Sequence, residues 1–218
     1  MNNTTEVKSE LEFIKSVMEK SRPMLVINGW HFIMWGILVF FGLLNTYLAI
    51  LSGAGAQIYY AWLIIVAFGW ICSFGITWYQ RKKGMVRTAK AVNESLIQRV
   101  STSCGIAMII LGFVAPLSGT FSPYAIGPSM SAVLGVMYFM IGGIVKNKMI
   151  TNLGYAWWVG SAGLFAMTMD KSLRPESLLA YAILIVILQV IPGFILNKKF
   201  KQELSKELPS GNAQSINA

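Results

Sequence analysis

Charge is scarce in this chain. Of 218 residues only 12% are Asp, Glu, Lys or Arg, about half the share of an ordinary soluble domain. Acids are scarcer than bases, 9 against 18, which leaves a net charge of +9. Histidine occurs once and cysteine twice. Each shortage excludes something. Two cysteines, Cys72 and Cys104, both in or beside apolar runs, do not make a disulfide scaffold and read as small buried side chains. One histidine with no neighbouring acid or cysteine pair does not make a zinc site. The acids are Glu6, Glu10, Glu12, Glu19, Glu94, Asp170, Glu176, Glu203 and Glu207, all at the ends or between apolar runs. Acids inside a membrane are costly and mark ion paths and proton relays. Their placement argues against carboxylate-driven antiport, metal transport and intramembrane aspartyl proteolysis, while a passive pore lined by backbone and hydroxyls stays open.

What the chain has is apolar mass: 55% hydrophobic residues and a mean hydropathy of +0.59. A bilayer core takes about 20 apolar residues in a helix. Six stretches qualify: residues 24–51, 58–79, 103–119, 125–145, 150–169 and 177–196. The expected fold is all-α, a polytopic membrane bundle of six transmembrane helices. The third stretch is short, and its helix is expected to start earlier, towards Met85. The N-terminal segment, acidic as well as basic and without a small-residue cleavage site, does not read as a signal peptide.

The connections alternate in charge. Residues 52–57 and 120–124 carry none. Residues 80–102 hold Arg81, Lys82, Lys83, Arg87, Lys90 and Arg99, and Lys146 and Lys148 separate the fourth and fifth spans. Lys8, Lys15, Lys20 and Arg22 precede the first span, and Lys198, Lys199, Lys201 and Lys206 follow the last. Only Lys171 and Arg174 fall on the opposite side. The positive-inside rule places both termini in the cytoplasm, in a bacterial cytoplasmic (inner) membrane. The excess charge then meets anionic lipid headgroups and calls for no nucleic acid. Tyr59, Tyr60 and Trp62 open the second span and Trp78 and Tyr79 close it, the pattern of an interfacial aromatic belt.

An internal repeat is visible. Residues 141–148 (IGGIVKNK) and 191–198 (IPGFILNK) share Ile, Gly, Asn and Lys at an offset of 50. Gly29 and Gly36, Gly105 and Gly112, and Gly154 and Ser161 each lie seven apart in the odd-numbered spans. That spacing keeps small residues near one face, where membrane helices approach closely. The reading is three tandem hairpins of like orientation.

The organisation expected is an amphipathic cytoplasmic helix within residues 1–23, a six-helix membrane domain over 24–197 and a cytoplasmic segment over 198–218. Asn3 and Glu6 form a capping-box-like start, and Val7, Leu11, Ile14 and Met18 make an apolar stripe. Ala89, Val92, Leu96 and Val100 make a second stripe, which extends the third span into the cytoplasm. Phe200, Leu204 and Leu208 make a third, with Pro209 expected to stop the helix and a disordered polar tail to follow.

Candidate functional polar residues are few. His31 sits in the first span near Asn28, and Gln189 lies beside Pro192, where a kink is expected because proline lacks an N–H and disturbs the Leu188 carbonyl. His31 could act as a proton switch or simply bond a neighbouring helix. Gly160-Ser161-Ala162-Gly163 is not a nucleophile elbow. No catalytic, metal or cofactor-binding residue is identified, and no cofactor is expected.

The pattern Ser21-Arg22-Pro23, then Gly29-Trp30-His31-Phe32-Ile33-Met34-Trp35-Gly36, with Ile191-Pro192-Gly193 closing the last span, resembles a group of uncharacterised bacterial six-helix membrane proteins. The three-hairpin plan is also similar to the acid-resistance HdeD-type membrane proteins. Neither resemblance implies catalytic residues. The expectation is a non-enzymatic inner-membrane sensor, scaffold or regulatory partner, with a small-solute channel or transporter as the alternative. Expected partners are the bilayer, a cytoplasmic protein and a second copy of the chain.

Overall fold

The computed structural model describes residues 29–82, 91–169 and 175–211, and all its regular elements are helical. Six long helices follow one another. They are α1 (Trp30–Leu51), α2 (Gly55–Lys82), α3 (Ala91–Ile109, a π-turn at Ile110–Val114, then Ala115–Leu117), α4 (Pro123–Val145), α5 (Lys148–Met167) and α6 (Pro175–Ile185, a π-turn at Val186–Val190, then Ile191–Gly211). The amphipathic helix expected before residue 23, Asn28, the residues around Met85 and the tail 212–218 lie outside the described residues.

The helix ends follow local chemistry. Gly53 and Gly119, both at φ 72, close the turns after α1 and α3 in the left-handed region that glycine enters without steric cost. Pro123 supplies the preset φ at the start of α4. Between α4 and α5 the chain reverses in two residues. Lys146 takes the left-handed conformation, and its N–H reaches back to Gly142 and Gly143. Asn147 then caps α5, its side chain accepting from the Met149 N–H at 3.0 Å.

Five helices contain stretches long and apolar enough to cross a membrane: Trp30–Leu51, Gln57–Tyr79, Ser95–Leu117, Pro123–Val145 and Pro175–Gln202. This is an all-α fold consistent with a polytopic membrane bundle. The fifth expected span differs. At 20 residues α5 has the length, but Lys148, Thr151, Asn152, Ser161 and three glycines dilute its apolar character, and it is not among the five. Its partner explains how it can be less apolar. The most extensive helix pairing in the molecule is α4 with α5, and Ile150, Trp157 and Leu164 of α5 are buried there.

The hairpins are therefore not equal units. α1 packs on α2 and α3 packs on α4, as tandem hairpins require, but α5 meets α6 only lightly. α6 instead lies along α1. A core of α1, α4, α5 and α6 surrounds Tyr138 and Trp157, both fully buried. Phe32 stacks on Tyr138 at 5.1 Å, Tyr138 lies 6.3 Å from Trp157, and Trp157 lies 6.5 Å from Tyr181. Such aromatic pairs add to the burial itself, by about 0.5–1.5 kcal/mol each. α2 and α3 flank this core with few buried residues. On α2, Tyr60, Ile64, Ile71, Phe74 and Trp78 are exposed, as a lipid-facing surface would be.

Both π-turns sit two residues before a proline, Pro116 in α3 and Pro192 in α6. The N–H of Ala115 bonds the Ile110 carbonyl, and that of Ile191 bonds the Val186 carbonyl, each one residue further back than in an α-helix. The widened turn gives the proline ring room where a regular helix would clash. The disturbance expected at Pro192 takes this form. α6 also continues to Gly211, two residues past Pro209. A proline in the last turn forfeits one hydrogen bond without ending the helix, so the expected stop at Pro209 is not observed.

Candidate functional site

His31 lies on the first turn of α1 and faces α2, its imidazole directed towards the backbone of Ser73. Trp35, one turn on, donates Nε1–H to the Ser73 hydroxyl at 2.9 Å. The Thr77 hydroxyl donates to the Ser73 carbonyl, also at 2.9 Å. The Trp35 ring lies across Gly69, where an added Cβ would meet Cη2 at 2.6 Å. His31, Trp35, Ser73 and Thr77 therefore form one polar fastening between α1 and α2.

Gln189 belongs to a different contact. It sits on the π-turn of α6, buried, and donates Nε2–H to the Phe32 carbonyl of α1 at 3.4 Å. The approach is close because both helices present small residues. A Cβ on Gly36 would come within 2.6 Å of Val190, and one on Gly193 within 2.8 Å of Ile33. Gly29 abuts the Gly193 carbonyl with no room for a Cβ at all. His31 and Gln189 thus serve the same stretch of α1 from two sides, and they do not converge on one cavity. Asn28, the third polar candidate, lies outside the described residues. Pro192 is buried two residues past the π-turn.

The spacing of seven has a structural meaning at all three pairs. Gly29 and Gly36 seat α6. A Cβ added at Gly112 would come within 2.6 Å of Met130 of α4, and one at Gly105 would meet Trp70 of α2 at 3.5 Å, an ordinary contact. Gly154 touches the Gly135 carbonyl and Phe139 of α4, and the Ser161 hydroxyl donates to the Pro128 carbonyl at 2.8 Å. Ser161 is therefore a helix fastener. The 50-residue repeat, by contrast, takes two structures. Gly143 is open and precedes the turn, whereas Gly193 is buried inside a continuous helix.

Sequence reasoning missed several polar groups. Trp62, read as part of an interfacial belt, instead donates to the Thr46 hydroxyl at 2.9 Å and fills the notch at Gly42. Trp158 donates to the Ala132 carbonyl at 3.2 Å. The Tyr138 hydroxyl and the Trp157 N–H are buried, and neither has a hydrogen-bond partner among the described residues. Cys72 is half-buried, Cys104 is buried, and both are free thiols. Among the described residues no three His, Cys, Asp or Glu side chains gather as metal ligands would. Two shallow hollows lie elsewhere, one at the α1–α2 turn and one on α3.

No protein-family model, curated protein or solved structure matches the chain. The likeness to six-helix and HdeD-type proteins accordingly rests on the residues quoted above, and no family membership follows from it.

Proposed function

We infer that this chain is a non-enzymatic multi-pass protein of a bacterial inner membrane, with both termini in the cytoplasm, acting as a sensor, scaffold or regulatory partner. One observation carries the reading. Several polar side chains inside the bundle hold helices together: Trp35 on Ser73, Gln189 on Phe32, Ser161 on Pro128 and Trp62 on Thr46. A transport path or active site needs such groups to face a shared space. Function is then left to the ends and surfaces, where the sequence places basic residues and amphipathic stripes.

The orientation draws on the same geometry. The close approach of Gly29 to Gly193 and of Phe32 to Tyr138 sets the start of α1, the end of α4 and the middle of α6 near one end of the bundle. Exposed Lys146, Lys148, Lys198, Lys199 and Lys201 lie at or beyond that level. Basic residues on one leaflet side are what the inside-positive bias favours.

The test is photo-cross-linking in membranes with the full chain. A cross-linkable residue near position 10 should capture a discrete partner, and replacing Val7, Leu11, Ile14 and Met18 by serine should abolish capture while membrane insertion persists. Capture unchanged by the replacements would remove the partner role. Solute flux in liposomes that changes with His31→Ala or Gln189→Leu would replace it with a channel.

A further inference from the structure

The unequal hairpins have an order of their own. Exchanging α1–α3 for α4–α6 carries each pairing of helices onto another. The α1–α2 pair becomes α4–α5, and α6 along α1 becomes α3 along α4. The light α5–α6 contact becomes α2–α3, which touch where Tyr59 meets Phe113, with rings 5.7 Å apart, and where Trp70 faces Gly105. The π-turns distinguish this exchange from three tandem hairpins. They occur in α3 and α6, the third helix of each half, and each precedes a proline by two residues. A shift by one hairpin carries α3 to α5 and never to α6. Three helices are an odd number, so the second half enters the bilayer from the opposite side, as in an inverted repeat.

Each π-turn also packs on the first helix of the other half. Gly112 in the first faces Met130 of α4, and Val190 in the second faces Gly36 of α1. With α1 starting in the cytoplasm, Pro116, in the last turn of α3, lies towards the outer leaflet, and Pro192, shortly before Lys198, lies towards the inner one. Each leaflet therefore has one such seam. The two are unequally closed. At the inner seam Gly29 abuts the Gly193 carbonyl, and Gln189 bonds the Phe32 carbonyl. At the outer seam the contact on Gly112 is Cε of Met130, the end of a flexible side chain.

The turns themselves are suited to bending. The amides of Ala115 and Ile191 bond the Ile110 and Val186 carbonyls. The next carbonyls, of Leu111 and Ile187, then have no amide four residues on to accept from, and the residues five on are Pro116 and Pro192. Kinks in helices concentrate at such prolines and π-turns. The start of α4 links the two seams, since Tyr181 of α6 lies against Gly127, within one turn of Met130.

We propose that α1–α3 and α4–α6 are inverted repeats whose π-turns, Ile110–Val114 and Val186–Val190, are coupled hinges: the outer α3–α4 seam closes as the inner α1–α6 seam opens. The structure is the inner-closed state. In the exchanged state Met130 moves aside, α3 seats on α4 across Gly112, and Gln189 parts from Phe32. The proposal rests on the bilayer orientation inferred above, and it supplies the two-state element that a sensor needs.

The experiment is electron–electron double resonance on the full chain in lipid nanodiscs, with Cys72 and Cys104 replaced by alanine. One spin-label pair spans the outer seam, at Leu117→Cys and Met167→Cys, and one spans the inner seam, at Tyr79→Cys and Lys199→Cys, all exposed positions. With both prolines intact, each pair should give two distances. Pro192→Ala restores an amide and lets the inner π-turn tighten, which draws Val190 and Gln189 off α1. It should raise the longer inner distance and the shorter outer one. Pro116→Ala should do the opposite at both pairs. A single distance in either pair with the prolines intact overturns the proposal. So do shifts of the same sign from the two substitutions, and so does a shift confined to the substituted side, which would mean two independent kinks. If a proline variant fails to insert, Gln189→Leu decides: it should shift both pairs as Pro192→Ala does, and no shift there counts against the hinges. Partner capture near position 10 is read separately, so failure of the sensor role and failure of the hinges are distinguishable.

Discussion

Replacing Gly154 by alanine should destabilise the bundle by a predictable amount. The added Cβ would lie 2.8 Å from the Phe139 nitrogen, 2.9 Å from the Gly135 carbonyl oxygen and 2.9 Å from the Phe139 Cβ, where ordinary contact starts at 3.4 Å. Two of these neighbours are backbone and cannot swing aside. α4 and α5 must therefore separate by roughly 0.5 Å, and a gap of that size forfeits about a quarter of the contact energy along the seam. Overpacking of this kind costs about 1–3 kcal/mol. A loss of about 2 kcal/mol is roughly a 30-fold change in the unfolding equilibrium. The seam includes buried Trp157 and half-buried Trp158, so tryptophan fluorescence during unfolding by a denaturing detergent in mixed micelles reads it directly. Gly163→Ala is the internal control. It lies on the same helix with nothing within 4 Å of its added Cβ, and alanine should be neutral or mildly stabilising there. Gly154→Ala within a few tenths of a kcal/mol of wild type, or a loss as large in Gly163→Ala, would refute the packing argument.

Three further outcomes are expected in the same unfolding assay. Gln189→Leu removes the bond to the Phe32 carbonyl and keeps the volume, so it should cost about 0.6 kcal/mol and not more than about 1.7; a gain in stability would mean the 3.4 Å contact contributes nothing. Tyr138→Phe removes a buried hydroxyl without a partner among the described residues and should stabilise by about 1 kcal/mol, since an unsatisfied group carries its desolvation cost. Destabilisation by Tyr138→Phe would mean that the hydroxyl is bonded. Ser161→Ala breaks the 2.8 Å bond to the Pro128 carbonyl and should cost on the order of 1 kcal/mol, and no change at all would contradict its role as a fastener.

The helices were legible in the sequence because a bilayer-length apolar run has few other readings. The small-residue pairs were legible for a related reason: Gly29 with Gly36, and Gly154 with Ser161, mark faces where helices approach closely. What was not legible is which apolar face meets protein and which meets lipid. Both solvents are apolar, so hydrophobic periodicity carries no signal between them. Ile150 and Leu164, buried in the core, look no different in sequence from Ile64 and Ile71, exposed on α2. The same blindness hid the α4–α5 seam behind the tandem-hairpin pattern and assigned Trp62 to an interface when it fills a notch between helices. The π-turn of α6 was half legible: Pro192 marked the place, but not the direction in which the backbone would yield, and the π-turn before Pro116 was not anticipated. His31 and Gln189 stood out as rare polar residues, and rarity did not reveal that each had a local partner.

Cysteine accessibility in cells tests the central claim most directly. With Cys72 and Cys104 replaced by alanine, single cysteines are placed at Thr120 in the α3–α4 turn and at Lys199 on α6, both exposed positions. A membrane-impermeant maleimide added to intact spheroplasts should label the Thr120→Cys chain at once and the Lys199→Cys chain only after permeabilisation. Labelling of Lys199→Cys from outside, or equal labelling of both variants without permeabilisation, would contradict a bilayer-spanning bundle whose basic end faces the cytoplasm.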